Sequence, residues 1–404
     1  MKNRLIKRCK SMFAYAVQMP LYLLSGLIKK DKNLWLFGAW AGENYSDNTR
    51  YVYEYVSKHD NCVKAYWVSK DKEVVKKLLS DGKRAYYYYS IRGYFIGIRA
   101  SVVFITQTHQ DVNFYACKGA AVINCWHGIP MKKILFDADD MYNSRDFGVR
   151  ISYRYIPYGN VIKKNDFVIC TGEMFYEITK SAFRITDDHI FINGYPRNDM
   201  FLGNEPEFLQ KAHSEGKKVI IYLPTHRNYG MKQLKNPFDE VGSVNEFCEN
   251  NNLLMLYKPH FHEMKNMSKA LDENGYKGIQ ILDEYDFRHN INSYLPYCDM
   301  LITDYSGAYF DYLLTNKPVI FFPYDLDWYL KNTGMYFDYY SIAKGPICRS
   351  WEEVFNSILL FLSGCDEWAV ERNELTNKVF KYRDTNSSKR AYEFAKHLTQ
   401  RRTI

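Results

Sequence analysis

Short apolar, β-branched runs recur along this chain. Between them lie amphipathic stretches of helical period, the alternation expected of a parallel sheet with helices on its faces. Leu34–Ala39, Val63–Ser69, Ala85–Tyr89, Ser101–Ile105 and Ala120–Cys125 read as strands, and Phe167–Cys170 and Ile190–Asn193 extend the series. Arg50–Lys58 and Lys72–Leu79 read as helices. A polar segment, Gly203–Gly216, interrupts the pattern, which then restarts. Its second half has strands at Lys218–Leu223, Leu253–Lys258, Ile279–Leu282, Met300–Thr303 and Val319–Phe322. Helices fall around Val244–Asn250, Ile291–Tyr297 and Ala308–Leu314, and the chain from Trp351 onward is mostly helical. The pattern predicts an α/β protein of two doubly wound halves with a cleft between them as the default site.

Four segments follow: 1–32, a basic and apolar leader; 33–204 and 205–365, the two Rossmann-type halves; and 366–404, C-terminal helices. In the leader, Arg4, Lys7, Arg8 and Lys10 precede an uncharged stretch from Ser11 to Ile28, and Lys29, Lys30 and Lys32 follow it. The stretch is short for a span and carries Gln18, Pro20, Ser25 and Gly26. It reads as a helix lying on an anionic, cytoplasmic membrane face, with Phe13, Tyr15, Val17, Leu21, Leu23 and Leu24 inserted and the bases on head groups. A helix packed on its own protein has the same pattern.

A 404-residue chain that is 47% hydrophobic and 25% charged is globular. Its formal charge of +8 suits nucleic acid, anionic lipid or phosphorylated substrates alike. The absence of zinc-finger spacing, an RNA-recognition signature or a long Arg/Lys tract argues against nucleic acid. Nine scattered cysteines without a Cys-x-x-Cys pair predict reduced thiols and no disulfide.

Chemistry concentrates where strands end. After Val122-Ile123 the chain reads Asn124-Cys125-Trp126-His127-Gly128-Ile129-Pro130-Met131-Lys132-Lys133. Gly and Pro place His127 on a loop at a strand's carboxyl end, where open α/β sheets bind ligands. A histidine there can exchange a proton near neutral pH, and the Lys132 pair can draw in an anion. A half-buried structural histidine beside a packed Trp fits the local sequence equally well. In the second half, Leu301–Ala308 runs a strand through Ser306-Gly307 into a helix whose first amides suit phosphate. Tyr257-Lys258-Pro259-His260 and Leu223-Pro224-Thr225-His226-Arg227 bring further basic strand ends to the same edge, where a pyrophosphate could lie. Gly194–Asp199 is a turn dense in capping residues, from which Arg197 either tunes the junction or reaches phosphates. Asp325-Leu326-Asp327 has a spacing known from metal-dependent enzymes but reads as a loop, and no metal or cofactor is expected.

Taken in order, these motifs resemble the CDP-glycerol glycerophosphotransferase family of teichoic acid and capsule synthesis. The resemblance runs from about Leu34 to Tyr340. It rests on Gly42-Glu43-Asn44-Tyr45-Ser46-Asp47-Asn48 with Tyr51–Tyr55, Trp126–Lys133, Pro196-Arg197-Asn198-Asp199, Pro224-Thr225-His226-Arg227, Lys258-Pro259-His260, Ile302–Ser306, Phe310-Asp311-Tyr312 and Pro323–Leu326. Ser306-Gly307 stands where relatives often carry Ser-Ser, and His226 where Trp is common.

The resemblance implies a GT-B-like fold and a peripheral membrane habit. It implies transfer of a polyol phosphate from CDP-glycerol or CDP-ribitol to a hydroxyl on a lipid-linked or glycan acceptor, with release of CMP. His127 and His260 match the family's two essential histidines. His127 is then the expected base toward the acceptor hydroxyl. The expected donor-binding set is Thr225, Arg227, Lys258, Thr303, Asp304, Ser306 and Gly307, with Lys132 and Arg197 as further phosphate or acceptor contacts. With base and donor in different domains, closure would complete the site. A GT-B glycosyltransferase using a sugar nucleotide, or a non-catalytic scaffold, would share the fold.

Overall fold

The computed structural model describes residues 19–138, 166–225, 241–258, 275–282 and 291–401. It divides into two compact units: Met1–His127 with Leu135–Asp199 and Asp384–Ile404, and Gly128–Ile134 with Met200–Arg383.

The first unit holds a seven-stranded sheet in the order β3-β2-β1-β4-β5-β6-β7. Its strands are β1 (Asp31–Phe37), β2 (Lys64–Ser69), β3 (Ala85–Tyr87), β4 (Ala100–Ile105), β5 (Ala121–Asn124), β6 (Phe167–Cys170) and β7 (Ile190–Ile192). Every pairing is parallel. Trp35, Leu36 and Phe37 of β1 and Val102, Val103 and Phe104 of β4 have no solvent exposure. Consecutive buried residues, rather than an in-out alternation, mark strands covered on both faces. Between the strands lie α1 (Asp47–His59), α2 (Lys72–Ser80), α3 (Ile91–Gly97) and α4 (Tyr176–Phe183). Strand order reverses between β1 and β4, the switch point at which parallel sheets open a ligand crevice.

The second unit holds a five-stranded parallel sheet in the order β10-β9-β8-β11-β12. The strands are β8 (Lys218–Leu223), β9 (Leu253–Tyr257), β10 (Ile279–Ile281), β11 (Met300–Thr303) and β12 (Val319–Phe321). Its helices are α5 (Glu207–Ser214), α6 (Val241–Asn250), α7 (Ala308–Leu313), α8 (Leu326–Asn332), α9 (Tyr339–Ile342), α10 (Trp351–Leu362) and α11 (Ala369–Val379). The switch point here lies between β8 and β11.

Several features depart from the sequence reading. Asp325-Leu326-Asp327 is not a loop: Asp325 stands at the N-terminus of α8, and Leu326 and Asp327 lie in its first turn. Helices α3, α4 and α9 stand where the pattern predicts none. The polar segment Gly203–Gly216 contains α5, whose Leu209 and Ala212, three residues apart, are buried. Ile291–Tyr297 is not one helix but two 3-10 turns, because Pro296 has no N–H to continue it. The C-terminal stretch is shared: α11 belongs to the second unit, and α12 (Ser387–Arg401) returns to the first. Lys30, grouped with the bases that flank the leader, is buried and donates to the carbonyls of Ser25 and Ile98 at 2.9 and 2.6 Å. The eight described cysteines are thiols, six of them buried.

Candidate functional site

In the first unit, His127 and the loops around it stand at the carboxyl ends of β1, β4 and β5. Gly38 follows β1, where a Cβ would come within 2.0 Å of the Asp111 carbonyl, so only glycine lets these loops meet. The Asp111 side chain is fully buried and accepts hydrogen bonds from the backbone N–H groups of Ala41, Thr106 and Gln107 and from the Thr106 hydroxyl. Burial raises its pKa, and those bonds offset only part of the rise. It thereby fixes the Thr106 carbonyl, which lies 3.2 Å from His127 Nδ1. A carbonyl only accepts, so Nδ1 carries the proton, and in the neutral ring Nε2 holds the lone pair. His127 is half-buried and meets two indoles, with ring centroids 4.1 Å from Trp126 and 5.4 Å from Trp40.

The backbone around His127 is unusual. Trp40, Ala41, Asp47 and Trp126 all have positive φ, between 50° and 65°. Non-glycine residues rarely adopt this region, and such strain collects at functional sites. Arg197 does not point to open solvent: it is buried, and Nη1 donates to Asp47 at 3.1 Å and to the His127 carbonyl at 2.7 Å. Asp199, two residues on, accepts from the Ser387 and Ser388 N–H groups and so caps α12. Asp47, Asn48, Thr106 and Asp111 were not singled out from sequence as site residues. The first two stand in the Gly42–Asn48 motif, and the signal for Asp111 is an acid inside the otherwise weakly charged run Ser101–Lys118.

In the second unit, Thr225 after β8 donates its N–H and hydroxyl to Asp304 after β11, at 2.9 and 2.6 Å to Oδ1. Asp304 also accepts from the Tyr305 N–H. Thr303 donates its hydroxyl to the Leu223 carbonyl at 2.9 Å and is fully buried. These three expected donor contacts therefore tie the two switch-point strands to each other. Ser306 Oγ accepts from Ala308 N–H at 3.3 Å. Beside it, Gly307 admits the Ile129 carbonyl, which a Cβ would meet at 2.5 Å. Lys258 follows β9 and is half-buried. Segment 128–134 is part of this unit: Lys132 bridges Met335, and Lys133 N–H donates to Gly334 at 2.8 Å. The Lys132 side chain is exposed. His260 and Arg227 lie outside the described residues. Asp325 is buried and accepts from the Tyr305 hydroxyl at 3.1 Å. No grouping of three metal-ligating side chains occurs among the described residues.

Known proteins match this arrangement. The model of the CDP-glycerol:poly(glycerophosphate) glycerophosphotransferase family matches residues 21–396. A teichoic acid glycerol-phosphate transferase of Staphylococcus aureus is 25% identical, over 94% of this chain and 97% of its own length. A teichoic acid poly(glycerol phosphate) polymerase of Staphylococcus epidermidis is 28% identical over 77% of this chain, which spans only 43% of that longer protein. The solved structure of the wall teichoic acid polymerase TagF shares the fold, with a TM-score of 0.74, 23% identity and full coverage of both chains. The class is thus a transferase built on two parallel α/β sheets. Within that class, the chain belongs to the CDP-glycerol:poly(glycerophosphate) glycerophosphotransferase family.

Proposed function

We propose that this protein transfers glycerol phosphate from CDP-glycerol to a hydroxyl of a lipid-linked or glycan acceptor, releasing CMP, in teichoic acid or capsule-type polymer synthesis. The family match across residues 21–396 carries this reading. The acceptor oxygen attacks the phosphorus that bears glycerol, and its proton passes to His127 Nε2. The bond from that phosphorus to the bridging oxygen breaks, and CMP leaves with the electron pair. The Nδ1 contact with Thr106 supports this role, since in the neutral ring it leaves Nε2 as the accepting atom. Lys258, Arg227, His260 and the backbone after Ser306 offset the charge on the two phosphates. Thr225, Thr303 and Asp304 hold the strand ends that present those groups.

The protein works at the cytoplasmic face of the membrane as a peripheral enzyme. No helix among the described residues is long and apolar enough to cross a bilayer. Leu23, Leu24, Leu27 and Ile28 are 52, 60, 81 and 43% exposed, beside exposed Lys29 and Lys32. That is the composition of a surface-lying anchor on anionic lipid.

The test is CMP release from the purified chain given CDP-glycerol, then CDP-ribitol, with a disaccharide-lipid acceptor. Acceptor-dependent CMP from either donor supports polyol-phosphate transfer and names the polyol. Release of UDP or GDP from sugar nucleotides, with no CMP, makes the protein a glycosyltransferase instead. His127→Ala is expected to lose about 10²- to 10⁴-fold in turnover while still binding CDP-glycerol. Undiminished turnover would remove His127 from the reaction.

A further inference from the structure

The peptide around His127 is held by Asn48 and Arg197, with Asp47 behind them. Asn48 is fully buried, and its Nδ2 donates to the Cys125 carbonyl at 3.3 Å and the Trp126 carbonyl at 2.8 Å. Arg197 Nη1 takes the next carbonyl, that of His127, at 2.7 Å. Three successive carbonyls therefore accept from two buried side chains. Those side chains are also locked to each other. Asn48 Oδ1 accepts from the Arg197 N–H at 3.0 Å, and Asp47 Oδ1 accepts from Arg197 Nη1 at 3.1 Å and from the Asn48 N–H at 2.8 Å. Asp47, Asn48 and Arg197 are 3, 0 and 7% exposed.

The need for such a clamp lies in Trp126. Its φ of 52° is unfavourable for a bulky residue. A backbone in that region persists only where its surroundings over-determine it. Besides the carbonyl contacts, Trp126 N–H donates to Asn124 Oδ1 at 2.8 Å, and the Phe183 ring meets the indole edge-on at 4.9 Å. Released from the clamp, Trp126 would relax toward negative φ and swing the following residue. His127 Nδ1 would then leave the Thr106 carbonyl, and with it the reason for Nε2 to be the unprotonated atom.

We propose that Asp47, Asn48 and Arg197 are positioning residues that hold the left-handed turn at Trp126 and so set the orientation and tautomer of His127. They act through the backbone that carries His127. The inference rests on His127 being the base, but its direct readout does not. A salt-linked clamp rather than an apolar one suits this task, because hydrogen bonds fix a peptide in one rotation whereas packing alone does not.

The experiment uses the full chain with ¹⁵N-labelled histidine, and His127→Ala assigns the His127 ring signals. In the parent chain His127 should show the Nδ1–H tautomer. In Asn48→Ala, that tautomer should give way to the Nε2–H form or to an exchanging mixture. Turnover should fall about 10²-fold while the KM for CDP-glycerol stays within about twofold, since a base misplaced by about 1 Å costs that much without weakening donor binding. Arg197→Lys keeps a cation beside Asp47 and is the second variant where Asn48→Ala does not fold. It should show the same tautomer change. Unchanged His127 signals in a folded variant overturn the proposal, as does a KM rise equal to the turnover loss. If His127→Ala is fully active, the assignment of the base falls, and the tautomer comparison still decides whether the clamp exists.

Discussion

Asp111 and His109 sit two residues apart in one loop, and burial acts on them in opposite chemical senses. Asp111 accepts from four donors, so Asp111→Asn would turn an amide N–H₂ toward backbone donors that now have an acceptor. We expect a loss of about 2–4 kcal/mol, read as a melting temperature lower by several degrees, together with weaker turnover as the Thr106 carbonyl shifts under His127. A variant that melts with the parent would refute this account of the loop. His109 packs on Phe114 and Tyr115, with ring centroids at 5.2 and 6.3 Å. Burial, with Lys70 adding to it, pushes its pKa down to about 4. The unfolded chain takes up that proton near pH 6.5 and the folded chain near 4, so stability falls as pH drops through this window. The loss from this one residue is about 3 kcal/mol. Denaturant melts of His109→Gln should therefore show a shallower decline between pH 6.5 and 4 than the parent; parallel curves would place the acid sensitivity elsewhere.

At the scale of elements, α12 shows how a distant motif builds the first unit. Asp199 caps it from nearly 190 residues upstream, and Arg390 on the helix donates to the side chain and carbonyl of Asn193 at 3.0 Å each. Its Tyr392 ring meets Trp35 and Tyr55, and Phe394 stacks on Phe191 at 4.1 Å. Lys396 and Tyr392 both donate to Asp60, each at 2.8 Å. Burial would raise the Asp60 pKa, but these bonds outweigh it and bring it down to about 2. The contribution of that tie is present above about pH 4 and is lost as pH falls through 2. Asp199→Ala removes the cap and should cost about 1–2 kcal/mol. Limited proteolysis should then cut faster within residues 384–401, and an unchanged rate would show that the cap is redundant. The strand series was legible in the sequence because parallel strands buried on both faces are continuous apolar runs. Helices α3, α4, α5, α8 and α9 are not legible for the opposite reason: each is short, and its buried face holds few residues. Gly93 and Gly97 are the buried positions of α3, which no hydrophobic period can reveal.

At the scale of the molecule, the chain passes between its two units four times: after His127, after Ile134, after Asp199 and after Arg383. The first and third passages adjoin the Trp126–Lys133 and Pro196–Asp199 motifs, so residues that are neighbours in sequence serve different units. The leader behaves likewise. Lys30 is committed to the Ser25 and Ile98 carbonyls, Tyr22 stacks on Phe114 at 5.4 Å, and Lys118 N–H donates to Ser25 Oγ at 3.1 Å. Deleting residues 1–30 would therefore damage the first unit as well as any anchor. The cleaner test replaces Leu23, Leu24 and Leu27 with Glu. We expect this triple variant to lose flotation with anionic liposomes and to melt within a few degrees of the parent; flotation equal to the parent would assign membrane binding to another surface.

The two parallel α/β halves, the strand ends that carry the motifs, and the family can all be read from the linear pattern. Burial on both faces and turn residues at fixed places are local properties that a linear pattern carries. Only the folded chain sets the partner that each motif residue meets. Arg197 has the chemistry of a phosphate contact, yet it lies buried against Asp47 and the His127 carbonyl. Thr303 and Asp304 have the look of ligand contacts, yet they join two strands. Lys30 has the charge of a lipid contact, yet it fastens the leader to α3's end. A side chain's charge and hydrogen-bonding groups are written in the sequence, but its partner is whatever the fold brings within about 3 Å.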